Sequence, residues 1–539
     1  MLHYNQTIMK RVKVIVIIFA GLFMLLANTK CNKYLDKEPI SSVTPGTFWK
    51  DQNDAKTWQA GIYNQLANTL KTNWFDWGEV RSDNVKTAGT GNAQTKMLNN
   101  ILSANDADVN GVTRWTDIYT TISLCNYGIK YLPGMIEKNL DQGAPLYNDI
   151  LGQCYSVRAL MYFYALRVWG RVPIITEPIE SLSQQTQFPR SDIAAVKKQI
   201  TDDIAKSLET IGSAVAGTAN PIDPKGLVFM QKASVYALLT DVSMWFQDYD
   251  GAIAASDKCI TESKCTWVTT PQAWKSMFIF PGISSEAIFS LDWGAVARAA
   301  GVGVCQKLGS SSNTHQYMIT PKIFQELRGR VDVGGNSVDA RFNLCFDTVT
   351  YKDVTLYSNA VAQFGKFYTW KGVTGGPFAV EGNNDCNARI PIYRFADIML
   401  LRAEALCHKN NFQGALDIVN KVRERCGYTT KALLTDYTGD VLKGVERTIL
   451  QERQYEFLGE GKRWFDLCRI DKMYDFTNNG YAYLRSIMNP ILSGRAGATP
   501  FDNTALVPNG MGRILYPINS DAFNANSKLV GDQNPPYDE

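Results

Sequence analysis

The sequence predicts an all-α fold, an α/α superhelix of tetratricopeptide-like helix pairs interrupted by long, irregular, loop-rich insertions. Three observations predict it. Apolar residues recur at helical spacing through the middle and the end of the chain, a short motif occurs twice after an apolar helix, and a long Gly-, Ser- and Asn-rich stretch lacks that period. With 45% hydrophobic and 20% charged residues among 539, the chain can bury a large core, in one large domain or several.

The elements follow in order. Lys10, Arg11 and Lys13 precede an uncharged run from Val14 to Ala27, too short for an ordinary membrane span and suited to the core of a secretory signal over residues 1–30. Cys31 closes this leader where a lipoprotein carries its lipidated cysteine, although Lys30 stands where a small residue is usual. Residues 31–45 then read as a polar tether. Leu151 to Trp169 places Tyr155, Ala159, Tyr162, Leu166 and Trp169 on one face of an amphipathic helix, with Gly170 as its stop. Further helices are expected over Ile193–Ile211 and Leu227–Phe246. The repeat aligns "DYDGAIAASDKCI" from Asp248 with "NFQGALDIVNKVR" from Asn411, and its small Ala252 and Ala415 would let two helices approach closely. These units divide the chain into a helical region over 46–290 and a C-terminal region over 291–539. The latter contains the irregular insertion, about Gly294 to Ala388.

Charge and composition exclude several functions. Residues 1–30 hold four basic and no acidic side chains, leaving 51 basic against 52 acidic residues beyond them, so nucleic acid is not expected as a partner. Eleven cysteines are scattered without a CxxC, and Cys125, Cys154 and Cys407 fall within helical apolar patterns, as buried free thiols do. The three histidines, His3, His315 and His408, give little material for a zinc site or a catalytic triad; no metal and no cofactor is expected.

Blocks along nearly the whole chain carry a family resemblance. They are "CNKYLDKEP", "EVRSDN" (Glu79 to Asn84), "RALMYFYALRVWGRVPIIT" (Arg158 to Thr176), "SEAIFSLDW", "DARF", "YRFADIMLLRAEA", "LQERQYEFLGEGKRWFDLCRI" and the ending "LYPINSDAFNANSKLVGDQNPPY". In these the chain resembles the SusD/RagB family of Bacteroidetes outer-membrane lipoproteins. The resemblance implies a lipid-anchored ligand-binding lid at the outer-membrane surface, seated on a SusC-like TonB-dependent transporter and delivering oligosaccharides, or less often peptides.

Sugar rings present apolar C–H faces, so a carbohydrate site needs flat exposed aromatics beside amides, carboxylates or Arg. "TNWFDWGEVRSDN" supplies Trp74, Phe75 and Trp77 beside Arg81, Asp83 and Asn84, and the insertion supplies Trp293, Asn313, Tyr317 and Trp370. The same residues also suit packing, with "RSDN" as a cap or turn. Glu452, Glu456 and Glu460 lie at intervals of four on one helix; a carboxylate pair of this kind suits glycoside hydrolysis, and equally an ion-pair ladder with Arg453, Lys462 and Arg463. A substrate-capturing lipoprotein and a lipid-anchored glycan hydrolase therefore both stand, the first favoured by the resemblance.

Overall fold

Among the described residues nine helices pack in sequence order, each on the one before it: α1 (Gln52–Leu70), α2 (Thr116–Glu137), α3 (Ala144–Trp169), α4 (Ile193–Thr210), α5 (Lys232–Trp245), α6 (Tyr249–Ser263), α7 (Phe395–His408), α8 (Phe412–Arg425) and α9 (Val441–Glu456). This is the expected superhelix of antiparallel pairs, and α10 (Arg463–Ile470) and α11 (Ala482–Ser493) close it. The computed structural model describes residues 48–71, 73–89, 91–181, 183–213, 227–279, 284–292, 307–309, 315–332, 334–367, 370–371, 379–380, 388–470, 482–501 and 512–538. Among these, no helix is long and apolar enough to cross a membrane. The leader, Cys31, the tether, Trp293 and Asn313 lie outside the described residues.

Local chemistry explains the helix ends. Gly170 ends α3 with φ 74°, a backbone angle that a side chain resists, and its N–H donates to Leu166 O. The third expected helix starts later than its apolar pattern, at Lys232, because the Met230 N–H is taken by the Tyr63 hydroxyl at 2.7 Å. From Leu146 the residues of α3 are almost all buried, so it is a central helix wrapped on every side and not the amphipathic one its pattern suggested.

The repeat is a matched pair of helix starts. Asp248 caps α6 by accepting from Gly251 N at 3.0 Å, and Asn411 caps α8 by accepting from Gly414 N at 3.1 Å. A Cβ on either glycine would run into the capping side chain, which accounts for glycine at both positions. Ala252 and Ala415 are fully buried. Ala252 meets Met244, Leu401 and Ala405, while Ala415 sits among Leu400, Leu416 and Val445.

The insertion is more ordered than its composition suggested. It holds short helices at Pro321–Arg328, Ala340–Cys345 and Val354–Ser358. Its strand β3 (Tyr317–Ile319) pairs antiparallel with β1 (Val85–Thr87), and β4 (Trp370–Lys371) pairs with β5 (Ala379–Val380). At its base β2 (Ala287–Asp292) pairs antiparallel with β6 (Arg389–Arg394), Asp292 opposite Arg389. Cys125, Cys154 and Cys407 are buried free thiols, as are Cys259, Cys345 and Cys426.

Candidate functional site

The aromatic motif before β1 does not form a surface. Residues 73–80 make one short turn of α-helix and then a π-helical turn, Asp76–Val80, that drives the segment into the interior. Trp74, Phe75, Trp77, Arg81, Asp83 and Asn84 are all at most 3% exposed, and Tyr317 is fully buried. The expectation of an exposed stacking platform is therefore corrected: these rings offer no free face. Trp77 donates its indole N–H to Val112 O at 2.9 Å and packs on Trp169, and Phe75 packs on Tyr317.

The polar neighbours are committed to the frame as well. Arg81 donates to Ile514 O at 3.0 Å and to Asn100 at 2.8 Å, and its guanidinium lies over Trp464 and Tyr516. Asp83 accepts from Arg463 Nε at 2.8 Å and from Gln454 Nε2 at 3.0 Å; Gln454 also reaches Asn84. Ser82 and Asn84 form the turn that the "RSDN" pattern allowed, with Asn84 N donating to the Ser82 hydroxyl. Glu79 accepts from Gly459 N, Gly461 N and Asn84 Nδ2, and burial raises its carboxyl to about 7. Gly78 and Gly461 let two backbones meet here, since a Cβ on Gly78 would strike Gly461 O. Asp76 holds Lys307 at 2.8 Å. Trp370 opens β4, opposite Val380.

The glutamate ladder is an internal ion-pair network. Glu452 faces Arg330, Arg341 and Arg423 at 2.8–3.0 Å; Glu456 meets Arg394 at 2.7 Å, Arg341 at 3.3 Å and the Trp274 indole at 3.0 Å; Glu460 meets Lys366 at 2.6 Å and Arg394 at 2.7 Å. Burial alone would raise the carboxyls of Glu452 and Glu456, but the surrounding guanidinium groups hold both well below the usual range. A glycosidase needs one carboxyl kept protonated and open to its substrate. Glu452 and Glu456 are ionised, saturated and fully buried, so the hydrolase reading loses its residues. Among the described residues no cluster of His, Cys, Asp and Glu could hold a metal ion.

Partly exposed aromatics occur elsewhere, on one face of α2, where sequence reasoning did not look. Tyr119, Ser123, Tyr127 and Tyr131 recur at intervals of four along this helix. Tyr131 stacks on Tyr127 at 6.4 Å and on Trp49 at 5.5 Å, with Trp58 against Tyr127 and its indole donating to Leu124 O. At the N-terminal end of the same face lies a cavity of about 570 Å³, lined by Trp115, Tyr119, Thr116, Thr120 and Ser123 and edged by the Arg114–Asp521 ion pair. The four-residue spacing was the available signal, masked in the sequence because it runs beside the apolar stripe that faces α3.

The fold and these surfaces define a class: a binding protein on a helical-repeat frame. The chain matches the model of the SusD family over residues 342–537 and that of a family described as "Starch-binding associating with outer membrane" over 33–242. It is similar to a SusD-like protein of Formosa agariphila, 26% identical over 98% of this chain and 100% of that one. A SusD superfamily protein from Bacteroides thetaiotaomicron shares the fold at TM-score 0.68, with 20% identity, covering 91% of this chain and 99% of the other. NanU of B. fragilis does so at TM-score 0.65, with 21% identity, covering 93% and 100%. The chain belongs to the SusD/RagB family of Bacteroidetes outer-membrane proteins. It is a surface substrate-binding protein of the outer membrane, in a family that pairs with SusC-like TonB-dependent transporters.

Proposed function

We propose that this protein captures oligosaccharides at the cell surface on the aromatic face of α2 and passes them to its SusC-like transporter, held to the membrane by a lipid on Cys31. The observation that carries the reading is the continuity of that face. Partly exposed rings of Tyr119, Tyr127 and Tyr131 run in line with a hydroxyl-lined cavity. From Tyr119 to Tyr131 the helix rises about 18 Å, the span of several linked rings rather than one. The cavity volume lies within the range of ligand pockets. Its lining pairs aromatic faces for sugar C–H groups with Thr116, Thr120 and Ser123 hydroxyls that can both donate and accept.

Thr120→Trp tests it. Thr120 is exposed on α2, so a large side chain there fills the cavity without entering the core. Binding of neutral oligosaccharides, read by titration calorimetry, should be lost while the melting temperature holds. Unchanged affinity in that variant would place the ligand elsewhere, and binding of peptides alone would replace the oligosaccharide reading with a peptide one.

A further inference from the structure

A second cavity of about 510 Å³ lies between α9, α10 and α11, built from residues that none of the preceding function uses. Its wall carries three cations, Lys322, Arg447 and Arg463, against the single carboxylate of Asp83. Two of these cations are already matched. Lys322 pairs with Glu326 at 2.7 Å, and Arg463 gives Nε and Nη2 to Asp83 at 2.8 and 3.1 Å. Arg447 has no ion pair among the described residues; its guanidinium lies 5.5 Å from the centre of the Tyr483 ring. Arg463 is 4% exposed, and its Nη1 has no hydrogen-bond partner. A buried charged donor left unpaired is costly and is rare in native proteins.

We propose that this cavity is a second ligand site, selective for a small molecule carrying one carboxylate on a partly apolar body. The unmatched guanidinium of Arg447 supplies one positive charge and a fork of donors that fits a carboxylate's two oxygens, and Arg463 Nη1 is a further donor on the wall. Gln451 and Ser486 are placed to bond hydroxyl or amide groups, and Ile487 and Ile491 face the rest of the ligand with hydrocarbon. Two sources share this chemistry: an acidic sugar unit and the C-terminus of a short peptide.

Titration calorimetry on the mature protein, with D-glucuronate, D-glucose and alanyl-alanine as probes, separates the outcomes. Glucuronate or the dipeptide should bind where glucose does not, the one that binds names the source, and the binding should weaken with added salt. Arg447→Gln should lower that affinity roughly 10- to 100-fold, the loss of charged hydrogen bonds, while leaving the melting temperature unchanged because Arg447 is exposed. Thr120→Trp should leave it untouched, so this site and the α2 face fail independently. Charged and neutral probes binding alike, or the Arg447 variant binding as the parent does, would overturn the proposal.

Discussion

Glu456→Gln is the sharpest test of what the glutamate ladder does. Five carboxylates, Glu286, Asp339, Glu452, Glu456 and Glu460, interlock with six cations, Arg330, Arg341, Lys366, Arg394, Arg423 and Arg425. Glu456 touches three of the guanidinium groups, all at most 4% exposed by side chain, so the substitution takes one carboxylate from buried cations that keep only Glu286, Asp339, Glu452 and Glu460 between them. Breaking a buried pair in this way costs about 3–5 kcal/mol. With an unfolding entropy of roughly 2.1 cal/mol/K per residue, a chain of this length loses about 1 °C per kcal/mol, so the melting temperature should fall by about 3–5 °C. Circular-dichroism melts measure this, with Glu424→Gln as the control. Glu424 pairs with Lys421 at 66% side-chain exposure and should change stability by under about 0.5 kcal/mol. An unshifted melt for Glu456→Gln, or glycan cleavage that disappears with it, would refute the structural role.

Trp77→Ala should destabilise by about 3–5 kcal/mol, since it empties core volume and orphans Val112 O; an unchanged urea midpoint would return the ring to the surface. Ala415→Phe should cost about 1–3 kcal/mol by overpacking the α7–α8 crossing, against little for a swap at exposed Gln451. Asp83, Asp466, Asp397, Glu452 and Glu456 are buried, which would raise them, but neighbouring Arg and Lys groups hold all five below their ordinary values. The stability they contribute is present above about pH 4 and is lost as pH falls below it; Glu79 runs the other way, its share lost as pH rises through about 7. Melts between about pH 6 and 2 should therefore show a steep acid fall, and a flat profile would contradict the ion-pair account. Cys31→Ala should release a folded protein into the soluble fraction, and retention after a high-salt wash would exclude the lipid anchor.

Much of the frame was legible because helix periodicity, caps and small crossing residues act locally. The Ile193 start follows from the Asp192 cap on Ala195 N, and the two repeat copies from the Asp248 and Asn411 caps. The site was not legible, for a different reason. Trp74, Trp77 and Arg81 have the composition of a sugar platform, and only their distant partners, Val112, Trp169, Trp464 and Ile514, reveal them as interior. Aromatics with amides and charges look alike at a binding face and in a polar core; what separates them is long-range burial. The same holds for the α2 ledge, whose rings gain their arrangement from Trp49 and Trp58, far away in the chain.

The antiparallel pairing of β2 with β6 bears on how such a protein changes its diet. The chain leaves the frame at Asp292 and returns at Arg389, and these two residues face each other across one ladder. The described residues between them belong to an excursion whose two ends are clamped together. Closing such a loop costs only about 0.6 kcal/mol more for each doubling of its length. Residues within the excursion can thus be gained, lost or rewritten while the helices outside it keep their register. The ion-pair network limits that freedom at Arg330, Arg341 and Lys366, which reach back from the excursion to α9 and the turn after it. Variation should therefore gather away from those anchors, leaving a constant chassis with an exchangeable cargo bay.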